Sequence, residues 1–142
     1  DLPMKRIALV LLALCLSLPA VAERKKSFGD LDVHYIAFNS SFLQPEIAAA
    51  SNLVRSKTQG VVNISVLKAG TPITASVTGE VKDLVGRSQP LTFRQVKEGQ
   101  AIYYLAQYNF TQREMLRFTI NVRANDGVAR SFDFNQEVFP DE

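Results

Sequence analysis

The residues with a claim to chemistry gather in the first half of the chain. His34, Tyr35, Asn39, Ser40 and Ser41 stand at the end of one apolar-rich stretch. Arg55-Ser56-Lys57 follows an intervening segment, and Asn63 interrupts an aliphatic run beside Ser65. Brought together, His34, Asn39, Arg55, Lys57 and Asn63 would form a polar notch able to hydrogen-bond a ligand, and they are the candidate binding residues. The same residues also have a purely structural use: Asn39 and Ser40 suit a turn, while Asn63 can face water or satisfy a loop. None of this amounts to catalytic machinery. His34 is the sole histidine, and a lone imidazole in a strand is more often a packed, hydrogen-bonded residue than a ligand or a base. The sequence shows no Ser-His-Asp spacing, G-x-S-x-G elbow, glycine-rich phosphate loop or paired carboxylates within one turn. No enzymatic activity, metal or cofactor is expected. Tyr103, Tyr104 and Tyr108 could form a binding stripe, but neighbouring Tyr103 and Tyr104 point to opposite faces, so at least one belongs in the core.

Cysteine and charge narrow the setting. The one cysteine, Cys15, lies in an apolar run from Ile7 to Leu18, preceded by Lys5-Arg6 and followed by Ala20-Val21-Ala22. That is the layout of a secretory signal peptide, with a basic start, an apolar middle too short to span a bilayer and a small-x-small cleavage site. Leu14 before Cys15 is not the small residue a lipoprotein signal would show. Cleavage is expected after Ala22, with Met4 as initiator and Asp1-Leu2-Pro3 upstream of it. Residues 23–142 then form one domain without cysteine, free of disulfides and thiol chemistry. Removing Asp1, Lys5 and Arg6 from 16 basic and 14 acidic residues leaves this domain near neutral, at +1. Such a charge gives no nucleic-acid footprint. The Arg24-Lys25-Lys26 run reads as a solvated tail within reach of an anionic surface.

The positioning elements come from periodicity. In the final stretch Leu116, Phe118, Ile120 and Val122 alternate with polar residues, as do Phe132, Phe134 and Val138; period two means strands with one buried face. A two-residue Asp126-Gly127 loop would set core residues opposite polar ones. A three-residue Asn125-Asp126-Gly127 loop pairs Ile120 with Phe132 and Phe118 with Phe134, leaving Arg117 and Arg123 near Asp133 and Glu137 on the outside. Upstream, residues 28–39 read as a strand covered on both sides, and Pro45 to about Val54 as a helix with Ile47, Leu53 and Val54 packed on the sheet. Residues 61–68 and 71–82 read as a hairpin pairing Val66 with Ile73, Ile64 with Ala75 and Val62 with Val77, or as a crossing between two sheets. Residues 91–96 and 101–108 follow, with Ile102, Tyr104 and Ala106 opposing Gln95, Phe93 and Leu91. About seven antiparallel strands and one short helix inserted after the first strand define an immunoglobulin-like, all-β sandwich.

Three stretches carry a resemblance. Residues 34–43 with Pro45, then Arg55-Ser56-Lys57 and Asn63-Ile64-Ser65-Val66-Leu67, and finally Phe134-Asn135-Gln136-Glu137-Val138-Phe139-Pro140, resemble a family of small periplasmic proteins of Gram-negative bacteria whose domain has no assigned function. The resemblance covers nearly all of residues 23–142. It implies a secreted β-sandwich and transfers no activity, cofactor or catalytic residue. The expectation is a non-enzymatic periplasmic binding or accessory module acting through a protein or envelope partner, with no transmembrane segment after cleavage. The alternative is a small-ligand binding protein using the notch near His34 and Arg55. An exposed apolar patch favours the first and a closed polar pocket the second.

Overall fold

The computed structural model describes residues 24–140; the expected signal peptide and its cleavage site lie outside them. Ten strands lie among the described residues: β1 Arg24–Phe28, β2 Leu31–Asn39, β3 Gln59–Lys68, β4 Thr71–Pro72, β5 Ser76–Lys82, β6 Ser88–Leu91, β7 Arg94–Glu98, β8 Ala101–Asn109, β9 Glu114–Arg123 and β10 Ala129–Val138. Between β2 and β3 lie a 3-10 turn, Ser40–Phe42, and one short helix, α1, Pro45–Ala50. One sheet runs β1-β2-β3-β8-β7 with β4 paired to β3, and the other runs β10-β9-β5-β6; every pairing is antiparallel. The chain is therefore an immunoglobulin-like β-sandwich.

The core lies between the sheets. Val33, Val62, Ile64 and Val66 of the first sheet face Val81, Leu116, Phe118 and Ile120 of the second, all of them buried. Removing such a side chain from water contributes about 1.5–3 kcal/mol. The final hairpin has the expected register: Phe132 pairs with Ile120 and Phe134 with Phe118. The two phenyl rings of the latter pair stack at 4.7 Å with planes 1° apart. Gly127 takes the turn with φ +73°, open to glycine at no steric cost. Outside, Arg117 meets Asp133 at 2.9 Å, whereas the partner of Glu137 is Arg113 rather than Arg123.

Four expectations are corrected. Arg24-Lys25-Lys26 is not a tail but most of edge strand β1, which turns back through Gly29 (φ +66°) onto β2. Arg24 is held there. Its guanidinium lies 5.1 Å from the Tyr35 ring centroid and 4.9 Å from that of Phe134, and it donates to Gln136 Oε1 at 3.0 Å. Second, residues 71–82 are not one strand. Pairing with β3 ends near Ile73, whose N–H reaches Val66 O at 2.9 Å, and the chain then crosses to the other sheet, where Val77 pairs with Val122. Third, residues 88–98 cross as well. Ser88–Leu91 edges the second sheet, where Pro90 loses no ladder bond to a neighbour beyond it, and Arg94–Glu98 edges the first. Gln95 consequently pairs with Tyr104, two residues from the expected register. Fourth, the helix stops at Ala50. Asn52 turns left-handed (φ 55°) and the Leu53 N–H bonds back to Ala48 O at 2.8 Å, a helix stop of the kind asparagine supports. Ala48 is the buried residue of α1, while Ile47 and Val54 are exposed.

Candidate functional site

The inserted segment, residues 40–58, is fastened by hydrogen bonds rather than by apolar packing. The buried Ser40 hydroxyl donates to Ser56 O at 3.0 Å and accepts from Ser56 N–H at 2.8 Å. The Gln107 amide does the same for Val54, donating to its carbonyl at 2.7 Å and accepting from its N–H at 3.1 Å. Each side chain completes both backbone groups of one loop residue, as a neighbouring strand would. Gln107 projects from the outer face of β8, so the insertion folds over the outside of the first sheet at one end. Arg55 is part of the same closure: its guanidinium donates to Ser41 O at 3.1 Å.

At this end, β2, β3 and β8 contribute one row, Asn39–Gly60–Tyr108. A Cβ on Gly60 would lie 2.1 Å from Tyr108 Cζ and 2.3 Å from its hydroxyl, so the phenol extends over the glycine toward Asn39. Asn39 donates to Phe139 O at 3.0 Å, tying the end of the last strand across the mouth of the sandwich. A cleft of about 70 Å³ results, floored by Ala37, Asn39 and Tyr108 and walled by Phe42, Val138 and Phe139. Tyr108 is buried, and its hydroxyl has no hydrogen-bond partner among the described residues. Burial pushes its pKa far up, so it stays a protonated donor.

Several apolar side chains are exposed at this end, among charged ones such as Arg87 and Arg113. Phe42 is 69% exposed, Phe139 55% and Val54 58%. Leu84 and Val85, also exposed, sit in the β5–β6 turn at the same end, since β5 reaches Lys82 opposite Arg117 of β9 and heads toward the end of the sheet where Glu114 pairs with Val138. Phe42 and Phe139 wall the cleft, whereas Val54, Leu84 and Val85 are single exposed apolar residues elsewhere at this end.

The five candidate binding residues do not share one pocket. Asn39 faces inward and lines the end cleft. Arg55 closes the insertion beside Ser41, and Lys57 sits exposed just beyond it. His34 lies five residues up β2, about 16 Å away, on the opposite face, where it borders a groove with Ser65, Leu67 and Tyr103. Asn63 pairs between Ile36 and Leu105, and its side-chain oxygen is buried without a partner among the described residues. The site residues that sequence reasoning passed over are Phe42 and Phe139; Tyr108, read there as part of a possible tyrosine stripe, lines the cleft. Phe139 and Phe42 lie within the stretches that carry the resemblance, but only the folded chain brings them together at the cleft with Tyr108. Among the described residues no group of histidine, cysteine, aspartate and glutamate is arranged to hold a metal ion.

The fold and its end cleft define a small two-sheet sandwich with a decorated rim. Residues 25–141 match a family described as "Domain of unknown function (DUF4426)", and the chain belongs to that family. A crystal structure of a DUF4426 family protein from Pseudomonas aeruginosa PAO1 is 57% identical, with a TM-score of 0.80 over 84% of this chain and 97% of that one. FetP of uropathogenic Escherichia coli strain F11 shares the fold at much lower identity. A copper-bound variant is 14% identical (TM-score 0.58; 84% and 95% covered), and an as-isolated form expressed in the periplasm is 13% identical (TM-score 0.54; 84% and 93% covered). No curated protein matches the chain.

Proposed function

We propose that this protein is a non-enzymatic accessory module of the periplasm that works by contact with a protein partner through the insertion end of its sandwich. The carrying observation is the pair of exposed rings, Phe42 and Phe139, that wall a cleft of about 70 Å³, too small for a free metabolite. Sites for small ligands enclose about 300–1,000 Å³, and the His34 groove on the outer sheet face is open and about 220 Å³. The export signal read from the sequence and the periplasmic expression of a FetP form support the compartment. Copper is named for the FetP variant alone; this sequence has one histidine, and among the described residues no group of three or more histidine, cysteine, aspartate or glutamate side chains could hold a metal ion. No helix among the described residues is long and apolar enough to cross a membrane.

The test is a double variant, Phe42→Ser with Phe139→Ser. Both side chains are solvent-facing, so the melting temperature should stay within a few degrees. In-cell chemical crosslinks made by the wild-type chain should vanish from the variant. Crosslinks that persist undiminished in a folded variant would rule out this surface.

A further inference from the structure

Val61 of β3 and Leu105 of β8 point away from the core. Their chain neighbours Val62 and Ala106 fill it, and side chains alternate along a strand. Val61 and Leu105 are nonetheless buried, at 0% and 7% exposed, although neither belongs to the packed interior between the sheets. What lies over them is the insertion, whose Ala48 is buried as well and is likewise outside that interior.

The cover is held at its margins. Val61 pairs with Gln107, and Leu105 with Arg94. Gln107 grips both backbone groups of Val54, at 2.7 and 3.1 Å. With the Asn52 amide turned to satisfy both its ends, its oxygen accepts from the Arg94 guanidinium at 2.9 and 3.2 Å. Each covered apolar residue thus stands beside a side chain that fastens the cover. The Gln107 bonds lie at the surface, where water replaces a lost partner at little cost. Among the described residues 41–57, Ala48 is the one buried apolar side chain. A segment with few buried apolar contacts and exposed hydrogen bonds opens before the domain unfolds.

We propose that residues 41–57 form a strap that opens as a unit while both sheets stay intact, uncovering Val61 and Leu105 on the outer face of the first sheet. Its two ends stay tied to strands: Asn39 pairs with Gly60, and Thr58 O accepts from the Phe110 N–H at 3.0 Å. Opening also carries Phe42 away from Phe139 and takes down one wall of the end cleft. The closed and open forms therefore present different apolar surfaces, and the strap is the switch between them. This goes beyond the protein-contact reading and does not depend on it.

The experiment is thiol labelling, under native conditions, of the exported protein carrying Cys15→Ser, so that each introduced cysteine is the sole thiol of the chain. Val61→Cys reports the outer face and Val62→Cys the core, from neighbouring positions that are both fully buried. Leu105→Cys and Ala106→Cys repeat the pair on β8 should either first variant fail to fold. The outer-face thiol is expected to react at least tenfold faster, at a rate that low urea hardly changes, because a local opening exposes little surface. Val81→Ala, in the core of the second sheet, should speed the core thiol about tenfold and leave the outer one unchanged. Gln107→Ala should speed the outer thiol about tenfold by releasing both bonds to Val54. The inference is overturned if the two faces label at one rate, if Val81→Ala speeds both alike, or if Gln107→Ala leaves the outer thiol unchanged.

Discussion

Gly60 and Tyr108 face each other across β3 and β8, and the phenol occupies the space that any side chain on residue 60 would need. Gly60→Ala puts a methyl 2.1 Å from the ring, so the ring or the strand must shift. The expected cost is about 1–3 kcal/mol or more in urea titration. Combining Gly60→Ala with Tyr108→Ala should cost less than the sum of the single changes, because the clash disappears with the ring. A single-variant loss within experimental error would show that the ring is not held over the glycine.

The stacked Phe118 and Phe134 hold the two strands of the last hairpin at the centre of the core. Phe118→Ala should destabilise by about 3–5 kcal/mol. That is a large share of the roughly 5–15 kcal/mol that keeps a domain folded, so poor accumulation in cells is expected. A loss below about 1 kcal/mol would mean that the hairpin register is wrong.

Arg24 joins the outer edges of the two sheets through the Tyr35 and Phe134 rings and the Gln136 amide. Arg24→Ala should lower stability by about 0.5–2 kcal/mol and speed amide exchange in β1 more than in β3. Equal protection of β1 in variant and wild type would show that backbone pairing with β2 alone holds the edge.

Two carboxylates of the last hairpin titrate below their ordinary range. The Arg130 side chain, with the Val128 N–H, holds Asp126 at about 2, and Arg117 with Thr119 lowers Asp133. Both folded-state values lie under the unfolded 3.8. Their contribution is therefore complete above that value and is lost as pH falls through it toward about 2. Both groups are exposed and screened, so the effect should be small and should shrink in salt. Melting curves from pH 5 to about pH 2 should show Asp126→Asn and Asp133→Asn converging on wild type at the acid end. Parallel curves with a constant offset would contradict the assignment.

The sandwich, the final hairpin and the main core faces were legible because period-two alternation records which side of a strand is dry. Of the two crossings, the one near Ala75 was open as an alternative to a hairpin and the one near Phe93 was not seen, since a strand that leaves one sheet for the other keeps its alternation and changes only its neighbours. The insertion misled in a specific way. Ile47 and Val54 suggested apolar packing, yet Ser40 and Gln107 hold the segment through Ser56 and Val54, in the latter pair across 53 positions of sequence, and no local pattern reports such a bond. Of the candidate notch, Asn39 reaches the cleft, while His34 falls on the opposite face of the same strand, as the parity of their numbers requires.

The insertion end of the sandwich, not the far end, should be the one that meets another molecule. Photo-activatable residues placed singly at Phe42, Leu84 and Phe139, and at Gly70 and Val128 on the far end, can be irradiated in intact cells and their adducts mapped by mass spectrometry. The insertion end should give one common protein adduct from at least Phe42 and Phe139, with none from Gly70 or Val128. Adducts of the same protein from the far end, with Phe42 and Phe139 silent, would contradict it.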